Sequence, residues 1–199
     1  MKVAIVFAQT GKTSFNHEIL NRAQTTCDRL GLTYTVRDLY QMNFQPVFSE
    51  EDMRNVEQNK ASGDIDEEQQ VITDADTLLM IYPVWWWSQP AILKGWIDRV
   101  FTDNFAFRYE KNGPVGLLKG KKAIVFTTTR ESEKELKASG FDQVMQKQIV
   151  DGVLTLAGFE PVMYQNFAAV PYVTANDRRK MLNEVEQTIM SMLGNPVTV

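Results

Sequence analysis

The stretch Leu78-Leu79-Met80-Ile81-Tyr82-Pro83-Val84-Trp85-Trp86-Trp87-Ser88-Gln89-Pro90-Ala91-Ile92-Leu93-Lys94-Gly95-Trp96-Ile97-Asp98-Arg99-Val100-Phe101 sets the architecture. Leu78–Tyr82 is a short, unbroken apolar run, the pattern of a strand buried on both faces. Pro83–Gln89 is a loop, and Pro90 suits the first position of a helix. Behind it Leu93, Trp96, Ile97, Val100 and Phe101 recur at helical spacing and form one apolar stripe. Strand, loop and helix in immediate succession are half of a βαβ unit.

The same grammar recurs on both sides. Val3–Phe7 and Ala123–Thr127 are two more buried-strand runs. Phe15, Ile19, Ala23, Cys27 and Leu30 make a helical stripe that stops at Gly31. Phe141, Met145, Ile149, Val153 and Leu156 make another ending near Gly158. Met181, Leu182, Val185, Ile189 and Leu193 make the last, ending at Gly194. Tyr34 and Val36 alternate with Thr33, Thr35 and Arg37, as in a half-exposed edge strand. A final strand is expected near Glu160–Phe167. Strands alternating with helices imply a parallel sheet covered on both faces, with right-handed crossovers. No repeat or low-complexity linker interrupts the pattern. Ala61–Glu68, the most polar stretch, reads as a surface connection.

Composition agrees with one α/β domain spanning 1–199. The chain has 199 residues, 44% apolar and 23% charged, with a formal net charge of -4. Such a chain buries enough surface to need no disulfide or metal staple. Its acidity and lack of basic blocks disfavour nucleic acid as a partner. The single cysteine, Cys27, forbids an internal disulfide and fits a reducing compartment. Val3–Phe7 reads as a strand and not as a signal peptide, and no run approaches a spanning helix. The expected location is the cytoplasm, without membrane insertion.

In an open sheet of this kind ligands bind outside the carboxyl ends of the strands. Three loops leave such ends: Ala8–Ser14, Pro83–Gln89 and Thr128–Glu135. In the first, Gln9, Thr10, Lys12 and Ser14 lead into a helix start, where free N–H groups and the dipole favour a phosphate. The other reading is a plain capping loop with Ser14 as N-cap. The Gly11-Lys12-Thr13 triplet is no nucleoside-triphosphate loop, because Val6 stands where the leading glycine is needed. In the second loop three consecutive tryptophans cannot all face one core. At least one ring must be exposed at the mouth of the sheet, against a planar ligand or a second subunit. Trp96 sits on a helical stripe and belongs to the core. In the third loop Thr127, Thr128 and Thr129 offer hydroxyls, and Arg130 is either a phosphate ligand or a solvated surface residue. One histidine (His17) and one core cysteine leave no basis for a metal cluster or a Cys–His nucleophile.

The sequence from Pro83 through Phe101 resembles the signature of the NAD(P)H:quinone oxidoreductases and their bacterial relatives, which include the drug-activity modulators and the ancillary reductases of potassium-efflux systems. Ser14-Phe15-Asn16 matches the end of that family's phosphate loop, and Leu154-Thr155-Leu156-Ala157-Gly158-Phe159 its junction before the last strand. The resemblance implies a flavodoxin-like sheet of order 2-1-3-4-5. It also implies FAD, or alternatively FMN, held non-covalently in a homodimer. The segment matching Val84, Trp85, Trp86 and Trp87 then hydrogen-bonds the flavin ring through its backbone and borders it with its aromatic side chains, with Pro83 also among the cofactor-binding positions. Thr10, Ser14, Phe15 and Asn16 match the positions holding the phosphates and, in FAD enzymes, the adenosine. The implied reaction is ping-pong hydride transfer from NADPH or NADH to a quinone, or to an azo or nitro compound. N–H groups of Val84–Trp87 and Thr128–Thr129 are expected to stabilise the added negative charge. The sequence departs from the family at three places. The histidine common near Gln9 is absent, Thr129-Arg130 replaces a Gly-Gly pair, and Glu131–Gly140 lacks the Tyr and His assigned to charge relay. No side chain is therefore assigned as catalytic. The rival class is a non-catalytic flavin-binding regulator or electron carrier.

Overall fold

The computed structural model describes residues 1–61 and 63–194. In chain order the elements are β1 (Lys2–Phe7), α1 (Phe15–Arg29), β2 (Thr33–Asp38), α2 (Glu50–Glu57), α3 (Gly63–Asp74), β3 (Thr77–Pro83) and α4 (Ala91–Val100). There follow β4 (Phe107–Glu110), β5 (Gly113–Gly116), β6 (Lys122–Thr128), α5 (Glu133–Ser139), α6 (Phe141–Ile149), a π-helical segment (Val150–Thr155), β7 (Val162–Phe167) and α7 (Ala175–Leu193).

Five strands form one parallel sheet in the order β2-β1-β3-β6-β7, while β4 and β5 pair separately as an antiparallel ribbon. Counting only the strands of the large sheet, this is the expected order 2-1-3-4-5. The three apolar runs are its three central strands, paired from Val3 against Thr77 and from Thr77 against Lys122. Both of their faces are buried, which is why they read as continuous and not alternating. Ile5, Phe7, Leu79 and Phe126 face α1 and α7. Val6, Met80, Tyr82 and Val125 face α3, α4 and the π-helical segment, with Trp96 fully buried among them.

Several expectations need correction. The β4–β5 ribbon was not anticipated. Pro90 is the N-cap of α4, one position earlier than expected, and Ala91 begins the helix. The third loop is shorter than expected, because Ser132 and Glu135 form a capping box that starts α5 at Glu133. The stripe through Val153 and Leu156 fails because the π-helical turn shifts the register. Leu154 and Ala157 become the core residues, and Leu156 is exposed. Ala61–Glu68 is not merely a surface connection, although Ser62 within it lies outside the described residues. Glu68 is 1% exposed, accepts the Trp96 indole N–H at 2.9 Å and pairs with Arg37. A carboxylate so placed is tolerated only because both oxygens are bonded.

A second buried ion network straps Gln45, Asp52 and Asp64 to α4. Arg99 donates to both oxygens of Asp52 (3.1 and 3.0 Å), to Asp64 (2.7 Å) and to the Gln45 carbonyl (2.9 Å). Burial pushes the Asp52 carboxyl up, but hydrogen bonds from Arg99 and Ser49 prevail and hold it below the usual carboxylate range. The strap lies so close to α4 that a Cβ on Gly95 would run into the Pro46 backbone.

Candidate functional site

At the carboxyl ends of β1, β3, β6 and β7 the loops enclose a cleft of about 210 Å³. It is lined by Gln9, Ser14, Phe15, Asn16, Pro83, Val84, Trp85, Thr128, Thr129 and Arg130, with Val170 and Pro171 closing the far side. All three expected loops therefore converge. Thr10, Lys12, Trp86, Trp87 and Thr127 do not line it. Thr10 and Lys12 are exposed on the first loop. Val170 and Pro171 were missed, although the loop after β7 also leaves a carboxyl end and the same rule could have found it.

The first loop is shaped by its helix. Ser14 is the N-cap of α1, its hydroxyl accepting the His17 N–H at 3.3 Å and lying 2.8 Å from the His17 ring. Gly11 turns with φ 85°, a left-handed conformation that glycine adopts without cost from a Cβ. Asn16 is 3% exposed and donates to Gln9 Oε1 (2.9 Å) and Thr128 Oγ1 (3.0 Å). Gln9 Nε2 is fixed by the Thr10 carbonyl at 2.9 Å, so the Gln9 oxygen faces Asn16 and requires the Asn16 NH₂ there. The Asn16 carbonyl oxygen is thereby left buried with no partner. An unsatisfied buried acceptor costs about 1–3 kcal/mol, and it calls for an N–H or O–H donor from a ligand. A phosphate, which carries only acceptors near neutral pH, would not satisfy it.

The tryptophan loop is a tight two-residue turn. Trp85 N–H donates to the Ser88 carbonyl (3.0 Å) and Ser88 N–H to the Trp85 carbonyl (3.1 Å). Trp86 and Trp87 between them have φ 50° and 62°, both left-handed. This is the type I′ pattern, normally filled by Asn and Gly. Trp86 is 95% exposed, and Trp87 stacks face to face on Phe141 with centroids 3.9 Å apart and 7° between planes. The expectation of an exposed ring is met by Trp86, and by Trp85 at the cleft rim. The expected donors are mostly committed elsewhere: Val84 N–H to the Thr128 carbonyl (2.9 Å) and Thr129 N–H to the Phe167 carbonyl (3.0 Å). Only the amides of Trp86 and Trp87 form no hydrogen bond with another described residue.

The third loop rests on a neutral network. Thr127 Oγ1 lies 3.0 Å from the Tyr164 hydroxyl and 2.9 Å from Asn166 Oδ1. The amide oxygen only accepts, so Thr127 donates to it and accepts from the tyrosine. Asn166 Nδ2 then donates to Thr129 Oγ1 at 3.1 Å. Thr127 is thus a buried support of the loop and not a cleft residue. Burial raises the Tyr164 hydroxyl above its ordinary pKa, as it does that of Tyr82. Both phenols stay protonated at neutral pH.

Among the described residues, Arg130 is the ionisable one lining the cleft. The other lining side chains are neutral, and His17 stands behind Ser14. No cluster of His, Cys, Asp or Glu able to hold a metal ion occurs among the described residues, and no helix is long and apolar enough to cross a membrane.

The sequence profile of the flavodoxin-like fold family matches residues 1–189. An uncharacterized NAD(P)H oxidoreductase of Haemophilus influenzae is 32% identical, the match covering 97% of this chain and 96% of that one. Human ribosyldihydronicotinamide dehydrogenase [quinone] is 32% identical over 90% of this chain and 86% of its own. Among solved structures, the NAD(P)H:quinone oxidoreductase of Methanothermobacter marburgensis superposes with a TM-score of 0.87 at 30% identity, covering 96% of both chains. With the fold, the cleft and these relatives in agreement, the chain belongs to the NAD(P)H:quinone oxidoreductases of the flavodoxin-like fold.

Proposed function

We propose that this chain is an NAD(P)H-dependent flavoenzyme that reduces quinones, and by the same chemistry azo or nitro compounds. It acts as a single flavin-binding domain, in a homodimer and in the cytoplasm. The cofactor is FAD in preference to FMN, held by Gln9, Ser14, Phe15, Asn16, Val84–Trp87 and Thr128–Arg130. The observation that carries the reading is the orphaned Asn16 carbonyl, buried beside the Thr128 hydroxyl in a cleft whose charged lining residue is Arg130. Thr128 Oγ1 accepts from Asn16, which leaves its proton free to donate. The pair therefore offers one acceptor and one donor side by side. The ring edge, ribityl hydroxyls and adenine amine of a flavin nucleotide carry both kinds of partner.

When bound, the flavin supplies the two-electron transfer. The residues of this chain bind and orient. The α1 N-terminus and Lys12 attract phosphate, and the amides of Trp86 and Trp87, which form no hydrogen bond with another described residue, are available to negative charge. Trp85 and Pro83 wall the cleft.

The test is to purify the full chain, release and identify any flavin by chromatography, and follow NADH and NADPH oxidation with menadione. A yellow protein that bleaches anaerobically with either nucleotide and turns over menadione is the expected result. A protein that takes up neither FAD nor FMN sinks the reading. Flavin binding without NAD(P)H oxidation would instead favour the electron-carrier alternative.

A further inference from the structure

His17 lies half-buried in the first turn of α1, its ring set edge-to-face against Phe7 with centroids 4.9 Å apart. Its Nδ1 is 2.8 Å from Ser14 Oγ, and the same oxygen accepts the His17 backbone N–H at 3.3 Å. Ser14 lines the cleft and His17 does not. Among the described residues, these two atoms of His17 are the only hydrogen-bond partners of the Ser14 hydroxyl. The backbone N–H is a donor, so the Ser14 proton has one acceptor to go to, the Nδ1 lone pair of a neutral imidazole protonated on Nε2. In that state the proton is turned toward the helix and away from the cleft. Charged and titratable residues on the elements around His17 are Lys12 on the preceding loop, Glu18 on α1, Asp38 opposite Phe7 at the end of β2, and Tyr40 beyond it. Glu186 on α7 is taken by Arg22 and Arg29. No carboxylate forms an ion pair with the His17 ring among the described residues, which leaves Ser14 as its polar partner.

We propose that His17 is a positioning residue for the phosphate end of the cleft, withholding the Ser14 hydroxyl proton from a bound phosphate when neutral and releasing it to the phosphate when protonated. The proposal rests on the flavin reading above. A solvent proton taken up at Nδ1 makes both ring nitrogens donors. Nδ1–H then donates to Ser14 Oγ, which already accepts the backbone N–H, so both lone pairs of the oxygen are filled. What the hydroxyl has left to offer is its own proton. That proton turns to a phosphate oxygen at the α1 N-terminus, where free amides and the helix dipole already favour an anion. A hydroxyl bonded to a charged oxygen makes one of the stronger hydrogen bonds. Proton and phosphate therefore bind together, and each raises affinity for the other: binding tightens as pH falls and weakens as pH rises. Imidazole is the side chain that ordinarily changes charge between about pH 5 and 8. His17 is the one histidine of the chain, and Cys27 is pushed up to about 11, so neither a second histidine nor the thiol shares that window.

The flavin-stripped full chain is titrated with FAD and with riboflavin by flavin fluorescence from about pH 5.5 to about pH 7.5. Riboflavin has no phosphate, and the diphosphate of FAD keeps its charge across this range, so FAD alone reads the Ser14 proton. Wild type is expected to bind FAD about tenfold tighter at the acid end and riboflavin equally at both ends. His17→Phe keeps a ring against Phe7 but has no nitrogen to hold the Ser14 proton. Its FAD affinity should lose the pH dependence and exceed that of wild type at the neutral end, with thermal melting as the check on folding. Nitrogen-15 NMR of the single histidine in the flavin-free wild type should show Nδ1 without a proton at the neutral end, a measurement that needs no variant. A wild-type FAD affinity that ignores pH overturns the proposal, as does a pH response that riboflavin shares or that survives in His17→Phe. So does a proton on Nδ1 at the neutral end, or a folded His17→Phe that binds FAD more weakly than wild type at every pH, the mark of a merely structural ring. Each of these leaves the flavoenzyme reading intact. A chain that binds neither FAD nor riboflavin overturns both.

Discussion

Trp86 and Trp87 are neighbours in one turn, share a left-handed backbone, and should respond oppositely to glycine. An L-residue in this conformation costs roughly 1–2 kcal/mol relative to the right-handed helical region. Glycine removes that cost but widens the unfolded ensemble by about 0.5–1 kcal/mol. At Trp86, 95% exposed, there is almost no buried surface to lose. Trp86→Gly should therefore raise stability by roughly 0.5–1 kcal/mol. Trp87 gains the same backbone relief but forfeits the stack on Phe141, about 0.5–1.5 kcal/mol, and the burial of half an indole, about 1–2 kcal/mol more. Trp87→Gly should come out destabilised by roughly 1–2 kcal/mol. The assay is equilibrium urea unfolding of the flavin-free full chain, followed by far-UV circular dichroism, with the slope m unchanged for both variants. Melting temperatures should separate in opposite directions by about 2–4 °C per kcal/mol for a chain of this size. A Trp86→Gly protein less stable than wild type would refute the strain argument. If the expected gain is found, the chain retains a strained, exposed indole at the mouth of its cleft at the expense of stability, the signature of a residue kept for ligand contact.

Two further outcomes follow from the buried polar groups. Arg99→Ala leaves Asp52 buried and unpaired, and should cost roughly 3–5 kcal/mol, against about 0.5 kcal/mol or less for Lys94→Ala in the exposed Lys94–Asp98 pair; urea midpoints measure both. Because the folded state holds the Asp52 carboxyl below its usual range, its contribution is complete above roughly pH 4 and is lost as pH falls through the lowered value, so Asp52→Asn should flatten the acid limb of stability against pH. The Cys27 thiol is fully buried, and desolvation with the nearby Asp28 charge pushes it up to about 11. It should resist a thiol-directed disulfide reagent at neutral pH until the protein is unfolded, and rapid native labelling would contradict the packing.

Local patterns that face one environment were legible in the sequence. The central strands sit between two helix layers, so their residues are apolar without interruption and could be read directly. The α1 and α7 stripes were equally plain, because each helix buries one face and exposes the other. Failures came where the chain's geometry changes without a change in hydrophobicity. The π-helical turn moves Leu154 and Ala157 inward and Leu156 outward, and nothing in the apolar spacing marks the extra residue per turn. Glu68 looked like surface because its burial depends on Trp96 and Arg37, partners 28 and 31 residues away. The cleft was legible as a set of loops but not as a set of contacts. Thr127 carries the same side-chain chemistry as Thr128, yet strand alternation turns it toward Tyr164 and Asn166 and away from the cleft.

The same contrast separates scaffold from site in physical terms. Away from the cleft, the buried charged residues are strongly satisfied: Glu68 by an indole and a guanidinium, Arg99 by two carboxylates and a carbonyl. At the carboxyl ends of the strands the chain accepts the reverse. Asn16 keeps an unpaired oxygen, Trp86 and Trp87 hold a backbone suited to glycine and asparagine, and Arg130 has no carboxylate partner. Orphan acceptors occur at Thr77, Asp103 and Asp142 as well, but the cleft region combines one with two free amides and a cation that has no carboxylate partner among the described residues. A single ligand bearing donors, a planar ring and phosphate would satisfy all three at once, and binding would then return the stability that the empty arrangement forgoes. Flavin should accordingly raise the melting temperature in proportion to the logarithm of its concentration above Kd. Trp86→Gly should reduce that increment even as it raises the melting temperature of the flavin-free chain. If the increment were unchanged, the strained turn would have no part in holding the ligand, and the link between strain and binding drawn here would fail.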